Sequence, residues 1–227
     1  MHSDQHIDLQ WRDGDVPVST QFDDPYFSLE DGLAETRHVF LAGNHLPEQF
    51  CPGFWIAELG FGSGLNLLAS LHLWRESGQT RVLHYTSFEA FPMPPDAMIR
   101  AQAGFEVLAA MAREFAPFWR RGLLDIDLSD LRFRLVIGDA RQTLAGWSGA
   151  ADVWFLDGFF REKNSEMWQD NMLVAVGKHC VRQATLKTYP AADFVRRGLA
   201  VAGFTVARTL GFGRKRHIIN AFRAAPS

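Results

Sequence analysis

Short apolar runs alternate along this chain with longer stretches in which apolar residues recur every three or four positions. The first clear run, Phe54–Leu59, passes through a glycine-rich turn into Leu65, Leu67, Leu68 and Leu71, the spacing of a helix ending near Glu76. The same switch then repeats. Strands are predicted over Val82–Phe88, Phe133–Ile137, Val153–Leu156 and Ala184–Tyr189. Helices are predicted over Pro95–Phe115 (with a break), Glu166–His179 and Ala191–Ala202. Thr205–Leu210 and His217–Phe222 stand too close together for a helix between them and are expected to pair as an antiparallel hairpin. Strands alternating with helices predict an α/β fold with a mostly parallel sheet covered on both faces.

The first part of the chain reads differently. Leu9–Phe22 alternates weakly around Gly14 and Pro17, which suits a small hairpin. An aromatic and acidic turn, Phe22–Ser28, leads into a helical stretch, Glu30–Ala42, stopped near Gly43 and Asn44. Residues 1–53 are therefore expected to form an extension packed on one domain of residues 54–227, and no linker or repeat interrupts that domain.

Composition narrows the class. A length of 227 residues suits one α/β domain. The start, MHSDQHIDLQW, lacks a basic then apolar leader, and no apolar run approaches the ~20 residues that cross a bilayer. With only Cys51 and Cys180 and scattered histidines, neither a metal site nor a disulfide framework is expected, and the expected location is the cytoplasm. Charge is segregated: residues 178–227 hold ten Lys or Arg and a single acid, Asp193, while the whole chain carries −3. A basic end on an acidic body suits a polyanion, although a solvated surface would read the same way.

The candidate chemistry lies at the strand ends, where open α/β sheets bind ligands. After the first strand come Glu58 and the turn Gly60-Phe61-Gly62-Ser63-Gly64, whose glycines take positive φ and let a ligand approach the backbone. The helix that follows offers unpaired N–H groups. Glu89 follows the second strand and Asp139 the third, while Asp157 follows the fourth within VWFLDGF. A helix cap is the alternative for each acid. Glu89 suits the ribose hydroxyls and Asp139 an adenine amino group. A pyrophosphate would tolerate four carboxylates poorly, whereas the sulfonium and amino-acid tail of S-adenosyl-L-methionine would not, so that cofactor is expected in preference to NAD. Five parallel strands closed by a hairpin also match the plan of a Rossmann-like class I methyltransferase.

Seven blocks then occur in the order of one family: Phe22–Asn44, Glu58–Asn66, Ser87–Met93, Val153–Phe159, Lys163–Trp168, Phe194–Phe204 and Gly211–Arg216. They resemble the tRNA 5-methylaminomethyl-2-thiouridine methyltransferases, meaning the methyltransferase half of bifunctional MnmC and its stand-alone relatives. The resemblance implies methyl transfer from S-adenosyl-L-methionine to the aminomethyl group of a wobble uridine in the anticodon region of tRNA. It implies a cofactor site lined by Glu58, Gly60, Phe61, Gly62, Gly64, Asn66, Glu89, Asp139 and Ala140, with Asp157 as the catalytic residue. Phe22, Tyr26 and Phe159 would wall the flipped base, although core packing is the alternative for each. Lys163, Arg196, Arg197, Arg214, Lys215 and Arg216 would meet the RNA. The length leaves no room for the flavin-dependent oxidase half, so a separate oxidase acting earlier is implied.

The chain departs from the family pattern in three places. Phe160-Arg161-Glu162 follow the Asp-Gly-Phe turn in place of small residues and proline, and Cys180-Val181-Arg182-Gln183 replace a Pro-Gly-Gly turn. Lys187–Asp193 replaces a Ser/Thr-rich turn. The first and third border the expected substrate pocket, so another amine, another RNA base or a non-catalytic binding module stay open as alternatives.

Overall fold

The computed structural model describes residues 8–12, 15–158, 168–189, 192–213 and 217–223. The N-terminal segment forms a three-stranded antiparallel sheet of β1 (Leu9–Arg12), β2 (Val16–Ser19) and β3 (Asp24–Pro25). Helix α1 (Gly32–Thr36) is capped by Asp31, whose side chain accepts from the Ala34 N–H. It continues as a π-helical turn (Arg37–Leu41) and a 3₁₀ turn (Ala42–Asn44), so the predicted single helix changes pitch twice.

The βα alternation follows as β4 (Trp55–Leu59), α2 (Leu65–Glu76), β5 (Leu83–Glu89), α3 (Pro95–Ala103) and α4 (Ala109–Arg120). It runs on through β6 (Asp125–Asp127), β7 (Leu131–Ile137), α5 (Ala140–Thr143), β8 (Ala151–Leu156) and α6 (Asp170–Lys178). The last elements are β9 (Cys180–Thr188), α7 (Asp193–Val201), β10 (Phe204–Leu210) and β11 (His217–Arg223). The eight-stranded sheet has the order β10-β11-β9-β8-β4-β5-β7-β6. The five expected strands, β4, β5, β7, β8 and β9, are mutually parallel, and β10 and β11 close one edge as the expected antiparallel hairpin.

Three short strands or helices go beyond the predicted elements: β3, β6 and α5. Strand β6 is only three residues long and exposed on both flanks, too short to show an apolar period. Helix α5 is a single turn with no buried residue, so it too lacks a periodic stripe.

Alternation along the strands divides the core. Ile56, Tyr85, Val153 and Phe155 face α2, α3, α4 and the N-terminal segment, while Ala57, Phe88, Trp154 and Leu156 face α6 and α7. The N-terminal segment belongs to the first layer. Phe40 is fully buried, with its ring 5.0 Å from Phe155 and 5.2 Å from Tyr189. The segment therefore covers the carboxyl ends of β8 and β9, where the candidate site lies. No helix among the described residues is long and apolar enough to cross a membrane.

Candidate active site

The turn after β4 approaches the end of β8 very closely. Gly60 has φ +89°, and a Cβ on it would lie 2.1 Å from the Asp157 carbonyl oxygen. Only glycine permits this approach. Strand-like pairing carries on past β4 on both sides: Gly60 N–H donates to Phe88 O, and Asp157 N–H donates to Leu59 O, each at 2.9 Å. Asp157 is thereby set beside the glycine turn. Gly64, at φ +75°, precedes α2 without any side-chain cap, so the N–H groups of the first turn of α2 gain no capping side chain.

Glu58 and Asp157 are joined by one amide. The Asn66 Nδ2 donates to Glu58 Oε1 at 2.8 Å and to Asp157 Oδ2 at 2.7 Å. Its Oδ1 accepts from the Thr36 hydroxyl at 3.0 Å. Ser87 lies directly across from Glu58 in the β4–β5 register and donates to Glu58 Oε2 at 2.7 Å. Glu58 has no exposed surface, and burial pushes its carboxyl up to about 8, against the lowering effect of the Asn66 and Ser87 bonds. Fully buried Tyr85 is pushed upward as well, by burial and then by the Glu58 charge.

Glu89, half-buried at the end of β5, ties the glycine turn to the next loop. Its two oxygens accept from Gly62 N–H at 3.0 Å and from Phe91 N–H at 2.8 Å. Burial raises its carboxyl above the ordinary range while these backbone bonds oppose the shift.

Asp139 is in a different situation. It caps α5 through the Arg141 N–H at 2.9 Å and pairs with the Arg141 guanidinium through both oxygens. The guanidinium holds its carboxyl below the usual range. The cap alternative read from the sequence is thus realised, and its acceptor sites are already in use. Ala140 opens the same helix.

Phe22 and Tyr26 were expected on the flipped base. Core packing was the alternative for each, and Phe22 is buried, edge-on to Phe91 with centroids 5.5 Å apart. Tyr26 lies over the glycine turn, 3.1 Å from where a Gly62 Cβ would be, and burial followed by the Glu89 charge raises its phenol. Both belong to the Glu89 side of the site because the Phe22–Ser28 turn folds back against that loop. Phe61, buried against Phe133 and Trp119, is a core residue.

Arg196 pairs with Asp193 at 2.9 Å, an acid it shares with Arg208, whereas exposed Arg197 makes no ion pair among the described residues. Phe159, Lys163, Arg214, Lys215 and Arg216 lie outside the described residues. Among the described residues no group of three or more His, Cys, Asp or Glu is placed to hold a metal ion.

Sequence reading missed Thr36, Ser87, Glu35 and Tyr189. Buried Glu35 accepts a hydrogen bond from Tyr189, whose phenol is raised by burial and then by the Asp157 and Glu35 charges. Strand β5 carries His84, Thr86 and Ser87 among its apolar residues, so Ser87 had no distinctive local signal.

Residues 104–224, more than half of the chain, match a family described as S-adenosyl-L-methionine-dependent methyltransferase. The chain belongs to that family. Two relatives are similar over nearly its whole length, both called tRNA 5-methylaminomethyl-2-thiouridine biosynthesis bifunctional protein MnmC. The one from Caulobacter vibrioides is 45% identical over 95% of this chain, and the one from Hahella chejuensis is 40% identical over 96%. The chain spans only 38% and 37% of their respective lengths. The crystal structure of MNMC2 from Aquifex aeolicus superposes with a TM-score of 0.76, covering 99% of this chain and 73% of that one at 24% identity. Spermidine synthase from Thermotoga maritima shares the fold at a TM-score of 0.54 and 10% identity, covering 96% of this chain and 72% of that one. The methyltransferase fold alone therefore does not decide the acceptor.

Proposed function

We propose that this chain transfers a methyl group from S-adenosyl-L-methionine to the aminomethyl nitrogen at C5 of a wobble (2-thio)uridine in tRNA. The observation that carries the reading is Asp157, placed against the glycine turn by Gly60 with one carboxylate oxygen held by Asn66. The names of the relatives support tRNA as the substrate.

The residues present fit the cofactor. Gly60, Gly62 and Gly64 all take positive φ, which leaves the turn free of side chains. Glu89 is half-buried at the end of β5 beside the glycine turn, where its carboxylate, held by backbone N–H groups that include those of Gly62 and Phe91, would meet the ribose hydroxyls. Glu58, Gly60, Phe61, Gly62, Gly64, Glu89, Asp139 and Ala140 would line that half, with Phe22 and Tyr26 walling it. An adenine contact by Asp139 would require Arg141 to give way. S-adenosyl-L-methionine, when bound, supplies a methyl group on a cationic sulfur, an electrophile that needs no acid.

The chain's own residues handle the amine. A nitrogen that gains an N–C bond must lose a proton, and Asp157 is the carboxylate placed to accept it. The same carboxylate orients the amine by accepting an N–H, a positioning effect as much as a proton transfer. Glu58 stays largely protonated at neutral pH, which limits negative charge beside it. Lys163, Arg196, Arg197, Arg214, Lys215 and Arg216 would hold the phosphates of the anticodon region, and Phe159 would wall the base. A flavin-dependent oxidase acting earlier, on this polypeptide or another, would expose the aminomethyl group.

The test incubates purified protein with labelled S-adenosyl-L-methionine and tRNA from cells lacking this activity, followed by nucleoside analysis. Label is expected in a 5-methylaminomethyl-type uridine. Asp157→Ala is expected to lower the rate by about 10²–10⁴ while cofactor affinity stays within about tenfold, ~1.4 kcal/mol. Label only in small amines or in another nucleoside would overturn the acceptor, and undiminished transfer by Asp157→Ala would overturn the role.

A further inference from the structure

Asn66 was expected to bind the cofactor, yet each polar group of its side chain is engaged within the protein. A primary amide nitrogen has two hydrogens, and two carboxylates take them, Glu58 at 2.8 Å and Asp157 at 2.7 Å. The carbonyl oxygen accepts from Thr36 at 3.0 Å. The nitrogen faces the two acids because a flipped amide would set its oxygen against the Asp157 carboxylate. Asn66, Glu58, Thr36 and Ser87 are all buried.

We propose that Asn66 is the positioning residue for methyl transfer: it holds the Asp157 carboxylate toward the acceptor amine, and Thr36 of the N-terminal segment fixes its amide. The proposal rests on the reading of Asp157 as the amine's proton acceptor. An amide suits this task better than a cation. Arg141 holds Asp139 equally well but holds its carboxyl below the usual range, which would weaken a base. An amide fixes the carboxylate without a full opposing charge, and it adds no repulsion toward a cationic sulfur or an ammonium. Only the two-donor, one-acceptor pattern of Asn or Gln can satisfy two acids and one hydroxyl together, and Asn is the shorter of the two. The titratable groups facing Asp157 from the surrounding elements are Glu58 of β4, Tyr85 of β5 and Tyr189 just after β9, with Glu35 of α1 behind Tyr189. Through Thr36, the N-terminal segment becomes part of the catalytic apparatus.

The test compares Asn66→Ala and Thr36→Val with wild type, with circular dichroism and thermal melts as the check on folding. For Asn66→Ala, kcat is expected to fall about 10–100-fold, as for a misplaced catalytic group, with the tRNA KM and the cofactor Kd within about threefold. The acid limb of the pH–rate profile is expected to move upward. Carboxyl-labelled ¹³C NMR is expected to show Asp157 titrating at higher pH, because a donor to its charged form is gone. Thr36→Val is expected to shift the same readouts in the same direction by a smaller amount. An unchanged kcat and Asp157 titration in folded Asn66→Ala would overturn the proposal, as would a loss confined to cofactor Kd. Should Asn66→Ala fail to fold, unchanged readouts in Thr36→Val would overturn it. If wild type methylates no tRNA, the functional reading fails, and the carboxyl titration still reports whether Asn66 holds Asp157.

Discussion

At the end of β7 an acid meets a guanidinium, while at the adjoining ends of β4 and β8 two acids meet an amide. The four strand-end carboxylates look alike along the chain, yet their neighbours set them different tasks. Asp139 is half-exposed, neutralised and lowered by Arg141. Glu58 is sealed from water and raised to about 8, sharing one Asn66 nitrogen with Asp157. Glu89 lies between these extremes, raised by burial and restrained by backbone N–H groups. Strand-end position supplies an acid to the site, and desolvation and the nearest donor decide what it does.

Removing the charge of Glu58 sharpens this contrast most. Its folded carboxyl titrates near 8, above the ordinary 4.5, so between those values the native state binds more protons than the unfolded one. Native stability therefore falls as pH rises from about 4.5 to about 8. Glu58→Gln cannot ionise, and urea denaturation across pH should show it gaining on wild type by a few kcal/mol by pH 8 and nothing at pH 4. Parallel pH profiles for the two proteins would mean that the carboxyl is not desolvated as described.

Glu89→Ala comes next. It strips acceptors from Gly62 N–H and Phe91 N–H and removes the expected ribose partner. Calorimetry should show cofactor affinity weakened by about 1.5–3 kcal/mol, the range for hydrogen bonds to a charged group. Unchanged affinity would take Glu89 out of the cofactor half.

Arg141→Ala should have the smallest effect. Because Asp139 is lowered in the fold, the pair's stabilisation is present above the ordinary carboxylate range and is lost as pH falls through the folded value. Both partners are about one-third exposed or more, so solvent screening keeps the contribution under about 1 kcal/mol at neutral pH. Cofactor affinity that holds or rises would fit an Asp139 freed for adenine; a marked fall would point to Arg141 itself as the contact.

The elements most legible in the chain were those with local signatures. Gly60, Gly62 and Gly64 between an apolar run and a helical stripe marked the ligand turn, and all three take positive φ. The same local logic anticipated the five parallel strands, the closing hairpin and the possible capping role of Asp139. Strand β6 and helix α5 escaped because three or four residues cannot display a period. Nothing local says which wall the Phe22–Ser28 turn folds against, and the fold sets Phe22 on Phe91 and Tyr26 over the glycine turn.

Asn66 shows where local reading stops. It lies in the same glycine-turn block as Glu58, and a cofactor role followed naturally from that nearness. Its actual partners are Asp157, 91 positions away, and Thr36, 30 positions away. Ser87 reaches Glu58 only through the β4–β5 register. By itself the sequence determined the fold class, the ligand turn and the supply of acids at the strand ends, because glycine conformation and apolar periodicity act over a few residues. Tertiary structure alone decided which acid meets a guanidinium, which is sealed from water and which is held by an amide beside the glycine turn. Those outcomes depend on burial and on donors brought in by distant strands and by the N-terminal segment.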